Sequence, residues 1–268
     1  MHEKNSRKKD KNRQNFGLGI SAVLSVVLSA IIMVISIPAY ILSQKNGAVT
    51  ADATGRSLPI YSVDLQEKKL SISFDCAWGV EYTDKLLDIM QKNGVRCTFF
   101  AVQFWVEKYP EYAKKIVDSG HELGTHSRTH SYMSKLSVDE IKDELISSCD
   151  AITRVTGQKP TLFRAPYGDY DNKLIDTATS LNLYTIQWDV DSLDWKNLSA
   201  TEIALRIVNG AKNGSIILCH NNGLHTAEAL PMVFSTLQNR GYEFVPIGEL
   251  IYKDGYTIDS SGKQHSQK

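Results

Sequence analysis

From Lys69 onward, short apolar runs alternate with amphipathic stretches for about 180 residues. No single motif constrains the fold as much as this alternation. The apolar runs have the length of buried strands, and the stretches between them carry a helical period. Strands are predicted at 70–75, 95–102, 122–126, 161–165, 183–190, 215–220 and 243–247. Helices are predicted at about 81–93, 104–119, 137–156, 171–181, 200–212 and 226–240. The pairs Asn93-Gly94, Ser119-Gly120, Asn213-Gly214 and Arg240-Gly241 stand where helix C-caps belong. Ser137 with Glu140 reads as a capping box. Such alternation calls for parallel strands joined by helical crossovers. Seven strands predict an α/β fold, a distorted (β/α)7 TIM-like barrel, rather than two domains. Barrels of this kind gather their chemistry at the C-terminal ends of the strands. Asp75, His126, Arg164, Asp189 or Asp191, and His220 all fall at those ends.

The N-terminal part is organised differently. Residues 1–15 carry six basic and two acidic side chains, which leaves 24 bases against 28 acids in the remainder. Nothing in that balance points to a nucleic-acid surface. Residues 16–42 contain no charge, and about 20 apolar residues suffice to cross a bilayer as a helix. The basic flank places the N-terminus in the cytoplasm and the rest outside. The rival reading is a cleaved signal peptide, whose apolar region is usually shorter, although Ala51-Asp52-Ala53 offers a small-residue site. The expected organisation is a basic cytoplasmic tail (1–15), a transmembrane anchor (16–42), a linker (43–66), a catalytic domain (67–254) and a polar, frayed tail (255–268). The four cysteines match no compact disulfide framework and are expected to be buried free thiols. Nothing demands more than a monomer.

Two histidines four apart, His126 and His130, can present both imidazoles on one side of a helical turn and hold two corners of a metal site. A divalent metal is expected there, zinc by default for imidazole donors. His121, before the strand, reads as a packing or supporting residue. Asp75 ends an apolar strand and is the candidate base toward water. Arg164, in Phe-Arg-Ala-Pro-Tyr, is placed to keep Asp75 ionised and aimed. The turn at Pro166 and Tyr167 offers backbone N–H groups to an oxyanion. Asp189 and Asp191 share one face of their strand, and either can hold His220 as a protonated acid for a leaving amine. Trp195 offers a flat apolar wall.

These residues occur in the order Ser-Phe-Asp75, His126-Ser-x-x-His130, Arg164-x-Pro-Tyr167, Asp191-x-x-Asp194-Trp195 and Leu218-x-His220. That set resembles the polysaccharide deacetylases with a NodB homology domain, carbohydrate esterase family 4. The resemblance covers roughly residues 69–251. It implies metal-dependent removal of N-acetyl groups from amino sugars; the expected anchor, which would hold the domain near the wall, points to cell-wall peptidoglycan as the glycan substrate, with chitin-type oligomers or an exported polysaccharide as alternatives. It further implies that Asp75 is the base, His126 and His130 are metal ligands, and Arg164 orients the base. Asp191 then tunes His220 as the acid. Tyr167, Trp195 and Trp78 are the implied substrate contacts.

The sequence departs from the family at one place. The usual first motif has two adjacent Asp, base then metal ligand, whereas this chain has Asp75-Cys76-Ala77-Trp78-Gly79. That form resembles a subgroup related to sporulation deacetylases of spore-forming Gram-positive bacteria. Three outcomes stay open. Cys76 is the third ligand, or water or Asp75 fills its place, or the site is degraded and the chain is a glycan-binding relative with little or no catalysis.

Overall fold

The computed structural model describes residues 55–267. The basic tail, the apolar segment 16–42 and the first part of the expected linker lie outside the described residues. Among the described residues, no helix is long and apolar enough to cross a membrane.

Strands β1 (Ser62–Val63), β2 (Lys69–Cys76), β3 (Thr98–Ala101), β4 (Glu122–Thr125), β5 (Leu162–Phe163), β6 (Tyr184–Thr185), β7 (Val190–Asp191) and β8 (Ile216–His220) follow one another along the chain. The central sheet runs β6-β5-β4-β3-β2-β8-β7, and every pairing in it is parallel. Strand β9 (Glu243–Phe244) adds to the start of β2. Helices α1 (Thr83–Lys92), α2 (Gln103–Lys108), α3 (Pro110–Asp118), α4 (Val138–Thr156), α5 (Asn172–Ser180), α6 (Ala200–Gly210) and α7 (Thr226–Asn239) form the crossovers, and α8 (Ile247–Leu250) follows β9.

The sheet is strongly curled, in agreement with the expected barrel. β6 and β7 occupy opposite edges, yet four residues, 186–189, connect them. At about 3.5 Å per residue the two edges lie within roughly 18 Å of each other. This connection also explains why the predicted strand 183–190 is two short strands. Ile186 pairs with Ile60 of the N-terminal segment, while Asp189 N–H donates to the Ile216 carbonyl at 3.1 Å. The chain is changing sides of the sheet here. The predicted helix 104–119 divides for a different reason. Pro110 cannot donate into a preceding turn and instead opens α3 at its first position.

Two segments expected to be irregular are instead ordered, one packed against the barrel and one in a small sheet of its own with β1. Leu58, Ile60 and Val63, assigned to the linker, are buried in an apolar cluster with Ile186, Ile216 and Ile247. Ile60 and Ser62 bridge to opposite sides of the gap, at Ile186 and Ser215. The expected frayed tail forms strands β10 (Tyr256–Ile258) and β11 (Lys263–Ser266), antiparallel to each other, with β1 parallel to β11. Polarity misled the reading: Gln264 is fully buried, and its side chain exchanges hydrogen bonds with the Tyr252 backbone. Gly214, expected as a helix cap, has another task. A Cβ there would sit 1.7 Å from the Val63 carbonyl oxygen, and its φ is +75°. Only glycine lets the N-terminal segment pass this close.

Capping agrees with the sequence at α4, where Ser137 and Glu140 form the predicted box. Ser199 and Glu202 form a second box on α6. All four cysteines are free and buried, as expected.

Candidate active site

The site lies at the C-terminal ends of the central strands, in a cavity of about 610 Å³. Asp75, His126, His130, Tyr167, Asp191, Trp195, His220 and Trp78 from the sequence reading all line it. Arg164 and Cys76 do not.

Side chains alternate across a strand, so Asp75 and Cys76 of β2 must face opposite ways. The ladder continues through both residues, Asp75 opposite Phe100 and Cys76 opposite Ala101. Asp75 therefore turns into the cavity. Cys76 turns away, fully buried in the cluster that includes Phe74, Leu86 and Trp105, with its Sγ 3.8 Å from the Phe74 carbonyl oxygen. Burial, with Asp75 next, pushes its thiol pKa well above the ordinary value. Cys76 is therefore not a third ligand beside the histidines, which corrects one of the three outcomes left open by the sequence.

Asp75 is 7% exposed and its register partner across β2 and β8 is His220. Arg164 Nη1 donates to Asp75 Oδ1 at 2.8 Å, and Nη2 donates to the Gln187 carbonyl at 3.3 Å. The guanidinium lies 4.2 Å from the Phe100 ring centroid and 5.6 Å from that of Trp188. It is held between two aromatic walls and fully buried. Burial by itself would raise the Asp75 pKa. Arg164, His126 and His220 together outweigh burial and hold it below the ordinary carboxylate value.

His126 follows β4. Its Nδ1 lies 2.8 Å from the Arg164 carbonyl oxygen, which only accepts, so Nδ1 carries the proton. Nε2 is left as a lone pair, 3.6 Å from Asp75 Oδ2. The two imidazoles do meet, with centroids 5.0 Å apart, but not on a helical turn. The loop between them is held by left-handed residues, Ser127 (φ 75°) and His130 (φ 58°), and by a 3.0 Å bond from His130 N–H to Ser127 Oγ. Glu144 of α4 anchors this loop, accepting from Arg128 N–H at 2.8 Å, Thr129 N–H at 2.9 Å and the Thr129 hydroxyl at 2.7 Å. Glu144→Ala removes the acceptor of both loop N–H groups, while the Thr129 hydroxyl keeps Ser131 Oγ at 2.7 Å. It is expected to reduce stability by about 1 kcal/mol in urea unfolding; a loss below about 0.3 kcal/mol would show that the loop holds itself. Burial lowers the His126 pKa and takes that of His130 down to about 4, so both rings are neutral near pH 7.

Neutral imidazoles suit a metal, and His130 Nδ1 is buried with no hydrogen-bond partner. The donor set nevertheless stops there. Among the described residues, no three His, Cys, Asp or Glu side chains converge as a metal centre. Arg164 already holds Asp75, and Cys76 is in the core. The residues present do not fit a metal site closed by three protein ligands.

The partner of His220 is Asp194 rather than Asp191. Asp194 Oδ1 accepts from His220 Nδ1 at 2.7 Å, and its Oδ2 accepts from His220 N–H at 2.8 Å and Thr226 Oγ1 at 2.7 Å. Left-handed Leu193 (φ 53°) turns the chain back and drives the fully buried Asp194 under His220. Asp191 is instead used locally, its Oδ1 accepting from Leu193 N–H at 2.9 Å. Asp189 is further away, bonded to Ser215 and Ile216 N–H at the start of β8. Burial alone would lower the His220 pKa, but the bond to Asp194 prevails and raises it. His121 lies outside the cavity, packed against Phe99 and Cys97.

Trp188 and Asn222 also line the cavity without having been singled out. Asn221 ties the site together, its N–H donating to the Asp75 carbonyl and its amide to that of Gly79. None of these has a local sequence signal, because each acts through a contact between distant strands. Around the mouth, Trp78, Tyr167 and Trp195 are more than half exposed. Tyr167 (φ 61°) stacks on Tyr132 at 4.2 Å and touches the His130 ring edge-on at 4.6 Å.

The family model for polysaccharide deacetylases matches residues 62–186. A peptidoglycan-N-acetylglucosamine deacetylase of Bacillus cereus is 31% identical, the match covering 70% of this chain and 70% of that one. An uncharacterised protein of Bacillus subtilis, YlxY, is 34% identical over 72% of this chain, and the match spans 60% of its length. Among solved structures, a CE4 family pseudoenzyme from Bacillus anthracis is 33% identical, covers 77% of this chain and 72% of its own, and superimposes with a TM-score of 0.70. A mutant of that pseudoenzyme, described as having restored enzymatic activity, is 36% identical over 73% of this chain and 71% of its own, also at 0.70.

Proposed function

The chain belongs to the polysaccharide deacetylase family, and on that premise we propose that it is a hydrolase removing N-acetyl groups from amino sugars of cell-wall peptidoglycan. One observation carries the reading. Two proton-transfer groups, each braced by a buried charge, meet at adjacent strand ends: Asp75 on Arg164, and His220 on Asp194. Asp75 takes a proton from a water molecule, whose oxygen adds to the acetamide carbonyl carbon. The oxyanion forms beside the turn at Tyr167, where a backbone N–H receives it. His220 gives its proton to the nitrogen as the C–N bond breaks, leaving acetate and a free amine. Trp78 and Trp195 flank the sugar. The apolar segment 16–42, behind its basic flank, supports a single-pass anchor that holds the domain near wall polymers outside the cell membrane.

Among the described residues, the donors present do not complete a metal site. A divalent cation, zinc first, would be held by His126 and His130. The test is acetate release by the full chain from acetylated muropeptides across a range of divalent cations. Release is expected, falling by a factor of about 100 or more in Asp75→Asn. No release with any cation, under conditions where a related deacetylase works, would overturn the reading.

The burial of Cys76 specifically favours a second reading, in which the same groove holds glycan with little turnover. The likeness to a pseudoenzyme supports it. Glycan binding that persists without acetate release would select it.

A further inference from the structure

A second cluster of reactive side chains lies at the opposite end of the sheet. Cys97 precedes β3 and His121 precedes β4, so both stand at the N-terminal ends of their strands. Met90 joins them from the last turn of α1. Cys97 Sγ is 3.2 Å from Met90 Sδ and 3.5 Å from His121 Nδ1. Cys97 and Met90 are fully buried, and His121 nearly so. The chemistry of the groove uses none of the three.

The cluster is short of hydrogen. Cys97 N–H donates to His121 Nδ1 at 3.3 Å, so that nitrogen carries no proton and presents a lone pair. Met90 Sδ has only lone pairs to offer. One thiol hydrogen therefore faces two acceptors and can serve one of them. The two sulfurs also approach at 3.2 Å, closer than the roughly 3.5–4.0 Å at which even carbon atoms pack best.

A soft cation in place of that hydrogen satisfies thiolate, thioether and imidazole together. Cysteine and methionine sulfur favour copper(I). Charge decides between copper(I) and zinc. One thiolate and one monovalent ion sum to zero, which an apolar interior accepts, whereas a divalent ion leaves a buried positive charge. The surroundings are apolar: Phe99 meets the His121 ring at 5.7 Å, and Leu87 and Val95 pack in the same core cluster as Cys97 and Met90. There is also a way in. A cavity of about 420 Å³ is lined by Met90 and His121 together with the exposed Asp84 and Asp88, and so joins the cluster to solvent.

We propose that Met90, Cys97 and His121 form a site for one copper(I) ion, which ties α1 to the starts of β3 and β4. As the sulfur–copper bond forms, the Cys97 S–H bond breaks and its proton leaves to solvent through the cavity. Copper stays in its +1 state, so no electron is gained or lost. The site is independent of the groove and of the glycan reading.

Titration of the reduced full chain with copper(I), in the absence of oxygen and against a chromophoric copper(I) chelator, tests the site. The wild type is expected to withhold one ion per chain. Cys97→Ser should weaken binding by about a hundredfold or more, and Met90→Leu, which nearly conserves volume, by about tenfold. His130→Ala, Cys76→Ala, Cys149→Ala and Cys219→Ala should withhold copper as the wild type does, which separates this site from the active-site histidines and the other thiols. X-ray absorption at the copper edge should show two sulfurs and one nitrogen. Copper should raise the melting temperature of the wild type and leave that of Cys97→Ser unchanged. If Cys97→Ser does not fold, Met90→Leu and the copper-edge spectrum of the wild type decide. A wild type that yields all its copper to the chelator, or a Cys97→Ser or Met90→Leu chain with wild-type affinity, would overturn the site.

Discussion

Arg164→Met should destabilise the domain by about 3–5 kcal/mol, because it removes the cation hydrogen bonded to a buried carboxylate. Arg164 is fully buried and Asp75 nearly so, hence solvent cannot replace the lost charge. For a domain of this size the melting temperature should drop by roughly 10 °C. Arg164→Lys should recover only part of the loss, since a point charge reproduces neither the bond to the Gln187 carbonyl nor the packing between Phe100 and Trp188. The same pair sets an acid limit on stability. The folded pKa of Asp75 is held below its ordinary 3.8, so its contribution is complete above 3.8 and is lost as pH falls through the lower, folded value. Urea unfolding at pH 7 and pH 3 measures both effects. A loss below about 1 kcal/mol in Arg164→Met would show that Asp75 is sustained by something else.

The second large effect concerns proton delivery. Asp194→Asn should cut acetate release by a factor of about 100 to 10,000, the range associated with general acid–base catalysis. The mechanism requires Asp75 ionised and His220 protonated at once. Asp75 is ionised above a pKa that lies below 3.8, and His220 stays protonated up to a pKa that lies above 6.5. The active form therefore fills the window between them, and activity should fall as pH rises through the His220 value. Removing the Asp194 charge lowers that value, so the alkaline limb of the pH profile should move to lower pH. NMR titration of the His220 ring measures the shift directly. Asp191→Asn should leave the limb nearly where it is, since Asp191 bonds the backbone of Leu193 and not the imidazole.

That contrast marks where the sequence was readable and where it was not. The alternating pattern gave the parallel sheet because each strand and crossover carries its own period. It could not divide 183–190, since the cause is Ile60, more than a hundred residues away in sequence. It also assigned 57–63 to a linker and 256–266 to a tail, because short segments that pair with each other show no period of their own. Asp75, His126, Arg164 and His220 were found from their places at strand ends. Asp189 and Asp191 were the expected partners of His220, and Asp194 was missed because a left-handed turn at Leu193, which strand alternation does not encode, brings it there. Cys76 was the reverse case. Its orientation followed from the same alternation that aimed Asp75 inward, once the β2 ladder was known to run through it.

The site keeps both proton-transfer pairs, while Cys76, beside the base, is packed into the core. Zinc titration of the wild type and of Cys76→Ala tests it most directly, with a His130→Ala control. Weak binding of equal affinity is expected in the wild type and Cys76→Ala, and none in His130→Ala. The Cys76 variant should lose only about 1 kcal/mol of stability from its core contacts. Tight zinc binding in the wild type that collapses in Cys76→Ala would instead make the thiolate a ligand.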